Sequence, residues 1–286
     1  MAEHIVFEAF DGIHQMLSAI DTRKENRVFS GSKLESKLSN QKFFGTDSYE
    51  QAEGLIRDGW EEPLSELEAV ARSMNVRTNV TRQKSRPMTH IVGYAPCVPN
   101  AIMGLPNSMI ATEKTPSKVK AVTIVYSPAD TGGASTSSYI KSGVAVLKLV
   151  QELELSGYRV RLQAEFKSSK NNSEYSIARV TLKDWRQPVD LKKLTFPFAN
   201  ASMQRRFGFR WLETHPDLME RSWIGGYGVT LGRIWSYEQQ LDFYKKHGLL
   251  QNNEYFVTKQ LCENEGYDVD RIMSACGMTI KLKKEV

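Results

Sequence analysis

No apolar run in this chain approaches the roughly 20 residues that a membrane-spanning helix needs. The opening residues, MAEHIVFEAFDGIH, also lack the basic-then-apolar order of a secretory signal. Both absences lead to the expectation of a cytoplasmic protein with no membrane partner. Cysteine is scarce: Cys97, Cys262 and Cys276 form an odd, scattered set with neither Cys-x-x-Cys nor Cys/His ligand spacing. That pattern argues against a disulfide framework and against zinc, and marks the three as reduced residues in or near a core. The phosphate-cradling motifs GxxxxGK[ST] and GxGxxG are missing from every strand-to-helix turn that the pattern offers. No Ser/His/Asp order and no paired-carboxylate motif can be defended from spacing, since such partners meet only in three dimensions.

What is present is an ordinary globular composition, 41% hydrophobic and 25% charged over 286 residues, long enough to bury a sizeable core. The net charge of +5 is unevenly spread. From Arg72 to Lys120 eight basic residues face the single acid Glu113. Arg77, Arg82, Lys84 and Arg86 are therefore candidate nucleic-acid contacts if they share a face. The alternative is a solvated connector, and no aromatic residue between Arg72 and Arg86 offers a stacking platform.

Periodicity divides the chain into three regions. Residues 1–78 read as helical: EHIVFEAFDGIHQMLSAI carries apolar residues near helical spacing. Ser48 with Gln51 resembles a capping box that opens a helix which Gly59 closes, and Trp60 is expected to seal a hydrophobic cluster. Residues 79–117 mix Pro96, Pro99, Pro106, Gly93 and Gly104 among apolar side chains, and are expected to be an irregular connector packed on the core.

Residues 118–286 carry the clearest pattern. A strand is expected over Val119–Tyr126, then a helix over Tyr139–Leu155 with Gly157 as its stop, then strands over Tyr158–Phe166 and Tyr175–Leu182. Helices follow over Met203–Leu212 and Pro216–Arg221, a strand over Gly226–Leu231, and a helix from the Ser236/Gln239 capping pattern to His247. Glu254–Val257, Val269–Ala275 and Met278–Leu282 read as strand, helix and strand. Alternating elements of this kind predict an α/β fold with a mostly parallel sheet flanked by helices.

The loop between the first strand and helix of that region, SPADTGGASTSS, is the place to look for chemistry. Asp130 with Ser135 and Ser137 could present hard oxygen ligands to magnesium. That reading supports a metal-dependent hydrolase or nuclease acting through Asp130 and carboxylates brought in by folding. The simpler reading is a turn over Asp130–Gly133 with Ser137 or Ser138 capping the helix, no cofactor and no enzyme. A second candidate is MQRRFGFRWLETHP, where Arg205 and Arg206 stand among aromatics as phosphate contacts, or else pair internally while Phe207, Trp211 and Leu212 face the core.

The order strand, helix, strand, antiparallel hairpin strand, helix, strand from Lys118 on resembles a von Willebrand factor A-like, or more loosely Rossmann-like, domain. In that family Asp-x-Ser-x-Ser binds magnesium. Here Gly132 and Ala134 occupy the two serine positions, so the usual metal motif is absent. Four further segments, GTDSYEQAEGLIRDGW, VGYAPCVPNAIMGLPNSM, SGVAVLKLVQELELSGYRV and ANASMQRRFGFRWLE, resemble an uncharacterised family encoded by bacteriophages and other mobile elements. Members favour Asp-Val before a Gly-x-Pro, and His-Pro before the paired arginines. This chain carries Cys97-Val98, then Gly104-Leu105-Pro106, and Ala199-Asn200. The resemblance implies a protein acting in a host cytoplasm or on a virion, and it transfers no catalytic residue. The expected function is that of a non-enzymatic binding or assembly protein that associates with a protein partner or with itself, with nucleic acid as a further partner of the basic segment.

Overall fold

Strand pairing ties the first residues of the chain to its second half. The structure, a computed structural model, describes residues 3–25, 31–34, 41–61, 85–114, 120–129, 134–170, 173–219 and 227–278. The strands are β1 (His4–Phe10), β2 (Ser85–His90), β3 (Ala95–Pro96), β4 (Met109–Lys114), β5 (Lys120–Ser127), β6 (Tyr158–Lys170), β7 (Glu174–Lys183) and β8 (Glu254–Thr258). The helices are α1 (Ile13–Thr22), α2 (Gln41–Phe44), α3 (Tyr49–Asp58), α4 (Val98–Ile102), α5 (Thr136–Leu155), α6 (Leu191–Ala199), α7 (Phe209–Thr214), α8 (Pro216–Met219), α9 (Leu231–Ile234), α10 (Tyr237–Lys246), α11 (Lys259–Asn264) and α12 (Val269–Ala275). A π-helical turn, Met203–Gly208, runs directly into α7.

Five strands form one sheet in the order β1-β7-β6-β5-β8. The β1/β7, β5/β6 and β5/β8 pairs are parallel and the β6/β7 hairpin is antiparallel, so the α/β expectation holds as a mixed, mostly parallel sheet flanked by helices. The N-terminal expectation is corrected in part: α1, α2 and α3 are helical, but within EHIVFEAFDGIHQMLSAI the helix starts only at Ile13, while His4–Phe10 is a strand in register with Glu174–Val180. Its side chains alternate, as strand geometry requires, and Val6 and Phe10 are buried against one face of the sheet.

Each face of the sheet has its own cover. On one side, Val6, Phe10, Ala164, Phe166, Ala178 and Val180 pack with α1, α3, α6 and the π-helical turn. Trp60 joins this cluster, its ring edge-on to Phe196 with centroids 6.3 Å apart, as the sequence predicts. Gly59 ends α3 at φ 93, where Lys192 O would lie 2.9 Å from any Cβ, so only glycine fits that conformation and that space. On the other side α10 lays Phe243 and Tyr244 against Tyr175 and Phe256.

Several boundaries move. The Ser236/Gln239 capping box is complete. Ser48 does cap α3, but Gln51 reaches back to Asp47 N rather than Ser48 N. The cap of α5 is Ser135, which accepts from Ser138 N at 3.2 Å, not Ser137 or Ser138. Of the strand expected over Gly226–Leu231, Gly226 lies outside the described residues, Val229 makes one bridge, to Ser169, and Leu231 already begins α9. Met278 is outside any strand, and residues 279–282 lie outside the described residues.

Candidate functional site

Between β2 and β4 the chain builds an arm. The ladder runs from Ser85 opposite Lys114 to His90 opposite Met109, and Ala95–Pro96 adds a short third strand on the far side of β4. The proline- and glycine-containing stretch expected to be irregular is thus held by regular pairing. Gly93 makes this feasible, because a Cβ there would stand 2.2 Å from Ile110 O. The tip is fixed by Cys97 N to Ser108 O at 2.7 Å, Leu105 N to Asn100 O at 2.9 Å and Asn100 Nδ2 to Asn107 O at 2.9 Å. Pro99 sits in the first turn of α4, where its missing N–H costs nothing.

The arm's apolar side chains turn outward. Met88, Ile91, Val92, Tyr94, Val98, Ile102, Met103 and Leu105 are exposed, and they are eight of the eleven large exposed apolar residues among those described. Val92, Tyr94 and Ile102 are 73%, 70% and 81% exposed. None of the eight belongs to either core cluster.

The charged candidates fall elsewhere. Arg77, Arg82, Lys84 and Asp130 lie outside the described residues, and of Arg86 only its backbone place opposite Glu113 on β2 is described. Arg205 and Arg206 come together inside the protein, 2% and 0% exposed. Arg206 donates to Thr46 Oγ1 at 2.8 Å, Thr46 O at 2.9 Å, Ser32 O at 2.9 Å and Leu34 O at 3.1 Å, with its guanidinium over the Phe44 ring. Arg205 donates to Phe43 O and to Tyr139 OH. Both arginines fasten the 31–34 and 43–46 segments to the helix through buried carbonyl oxygens. Glu213 does the same work with opposite charge, accepting from Ser32 N, Ser32 Oγ and Tyr227 OH.

Ser135 and Ser137 are exposed at the start of α5, just beyond the carboxyl end of β5. Because β6 and β8 flank β5, the carboxyl end of β5 stands where the strand order reverses, the usual ligand crevice of open α/β sheets, while residues 130–133 lie outside the described residues. Near it, Glu263 accepts from Ser138 Oγ and from the buried Lys259 Nζ. Among the described residues no group of three or more His, Cys, Asp and Glu is placed to hold a metal.

A buried cation was missed by sequence reading. Lys167 on β6 is buried, donates to Gln240 Oε1 at 2.5 Å and lies 4.4 Å from the Phe256 ring centroid. Burial lowers its pKa to about 7, although Glu165 opposes that shift. Beside it Arg179 donates to Glu165 at 2.9 Å, and Tyr244 OH donates to the same carboxylate. The alternation of β6 gave a signal, since Gln163, Glu165 and Lys167 fall on one face, but nothing local says that this face is covered.

Among the described residues no helix is long and apolar enough to cross a membrane. No curated protein and no solved structure matches the chain. Residues 2–279 match a family model described as Domain of unknown function (DUF7192), and the chain belongs to that family.

Proposed function

We propose that this is a non-enzymatic binding or assembly protein that docks onto a protein partner through the arm Ser85–Lys114. The observation that carries the reading is the concentration of eight exposed large apolar side chains on a segment that belongs to neither core cluster. A small sheet needs an apolar face to bury. This one keeps its shape through ladder hydrogen bonds and leaves its apolar groups available, as protein-interaction patches do. The arm also carries the VGYAPCVPNAIMGLPNSM segment, whose resemblance points to a bacteriophage or mobile-element assembly as the setting. The β7-β6-β5-β8 order with β7 antiparallel supports a von Willebrand factor A-like reading of the main domain.

The test compares the wild-type chain with a Val92→Ser, Ile102→Asp, Met103→Asp variant. Size-exclusion with light scattering, and cross-linking in cells that carry the native system, should detect self-association or one dominant partner. The variant should lose that contact and keep its melting temperature. Unchanged association in the variant would refute the arm. Salt-sensitive binding to DNA or RNA, lost on charge reversal at Arg77, Arg82, Lys84 and Arg86, would instead assign nucleic acid to the basic segment.

A second reading, a metal-dependent hydrolase or nuclease using Asp130, draws on the carboxyl end of β5, which stands where the strand order reverses. A magnesium- or manganese-dependent thermal shift that Asp130→Ala abolishes would favour it.

A further inference from the structure

At the carboxyl end of β6 the sheet is completed by another piece of chain. The pairing of β5 with β6 ends at Tyr126 opposite Ala164, and beyond it Val229 exchanges backbone hydrogen bonds with Ser169 at 2.8 and 2.9 Å. A cavity of about 240 Å³ is lined by β6, β7, the π-helical turn, α7 and residues 227–230. Phe43, Phe166, Phe209 and Trp211 give it aromatic walls. Phe209 is backed by Tyr227, with ring centroids 3.8 Å apart and planes within 4°.

Three of the lining residues carry a polar side-chain atom that is buried without a hydrogen-bond partner: Ser176 Oγ on β7, Gln204 Oε1 on the π-helical turn and Thr230 Oγ1 on the 227–230 strip. Ser176 and Gln204 are 1% and 6% exposed. A folded protein rarely leaves buried polar atoms unpaired, because each forfeits its hydration without replacement. Three such residues, brought by three separate elements around one aromatic cavity, form the pattern of a preformed ligand site. The π-helical geometry beside it is itself common at binding sites. The lining holds no carboxylate, while it includes Arg205 and the exposed Arg233, so its charge favours an anion.

We propose that this cavity binds a small heteroaromatic anion of the nucleoside monophosphate class. The ring lies against the aromatic walls, a ring or exocyclic N–H donates to Gln204 Oε1, the Ser176 and Thr230 hydroxyls meet further polar atoms, and the phosphate faces Arg233. A carbonyl oxygen such as Gln204 Oε1 is satisfied only by a donor, which excludes a plain aromatic acid. At about 240 Å³ the cavity is smaller than the usual ligand pocket, so it has room for one small molecule.

Calorimetry and thermal shift on the full chain should be run with adenosine, guanosine, cytidine and uridine monophosphates. Ribose 5-phosphate serves as the arm that carries the phosphate without the base, and benzoate as an aromatic anion that lacks a ring donor. At least one nucleotide should stabilise the protein saturably, with the two partial ligands binding at least tenfold more weakly. Gln204→Leu should weaken the nucleotide at least tenfold while holding or raising the melting temperature of the free protein, since it removes an unpaired acceptor. Arg233→Gln, at an exposed position, should weaken binding and flatten its salt dependence, and it decides the matter if the first variant fails to fold. Ribose 5-phosphate binding as tightly as a nucleotide, or no saturable shift with any probe, overturns the proposal.

Discussion

Lys167 is surrounded by Gln240, Phe256 and Tyr244, with Glu165 on its own strand, Arg179 on the neighbouring one and Glu254 on β8 completing the charges nearby. Desolvation holds its folded-state pKa near 7, whereas an unfolded lysine titrates near 10.4. Between those values the unfolded chain binds a proton that the folded chain lacks, so this residue makes stability rise with pH across that window. Below about pH 7 both states are protonated and its unfavourable contribution is complete. Lys167→Met should therefore flatten the pH dependence of urea unfolding between pH 7 and 9.5, by up to about 1.4 kcal/mol per pH unit. An identical slope in the variant would mean that the ammonium is better solvated than its surroundings indicate. The cysteines separate by the same physics. Cys262 and Cys276 are buried and their thiols are pushed up to about 12, while Cys97 is half-buried on the arm. A thiol reagent should titrate one cysteine in the native protein and three after denaturation, and fast reaction of a second would contradict the packing.

At the level of elements, capping chemistry carries energy that can be measured. Ser236→Ala removes both the acceptor for Gln239 N and the closed capping box of α10, and should cost about 1 kcal/mol in equilibrium unfolding. In the arm, Gly93→Ala brings a methyl group against Ile110 O and should undo the β3/β4 pairing. Because the arm belongs to neither core cluster, the main unfolding transition should stay in place while partner binding falls; a large drop in melting temperature would show that the arm supports the core. These features differ in how far the sequence announces them. The capping box, the run Val269–Ala275 and the stop at Gly157 are local, and local pattern finds them. β1 is not, because its seven residues satisfy either period and its partner β7 lies some 170 positions away. Pro197 reads as a breaker, yet it sits in the last turn of α6. Arg205 and Arg206 are visible as charges, but Ser32 O, which receives one of them, is 174 residues distant. The cavity residues Ser176, Gln204 and Thr230 likewise become neighbours only when three elements pack.

For the molecule as a whole, the decisive feature is that residues before 61 and residues after 120 share one sheet and one interior. β1 is the outer neighbour of β7, and α1 buries Met16, Leu17 and Ile20 in the cluster that holds Ala178, Val180, Phe196 and Phe207. Arg206 and Glu213 then clamp residues 32–34 and 46 from within the C-terminal half. Removing the N-terminal partner would uncover an apolar face, take the Ser32, Leu34 and Thr46 acceptors from the buried Arg206 guanidinium, and leave the buried Glu213 carboxylate with Tyr227 OH but without Ser32 as a donor. Each such loss is among the most destabilising changes a protein undergoes. A fragment spanning residues 118–286 should consequently fail to unfold cooperatively and should bind a hydrophobic dye, whereas adding residues 1–61 as a separate chain should restore a sigmoidal transition. A sharp, native-like melt of the fragment alone would place the stabilising interactions within β5–β8 and their helices, and would reduce β1, α1 and the two clamps to an attachment.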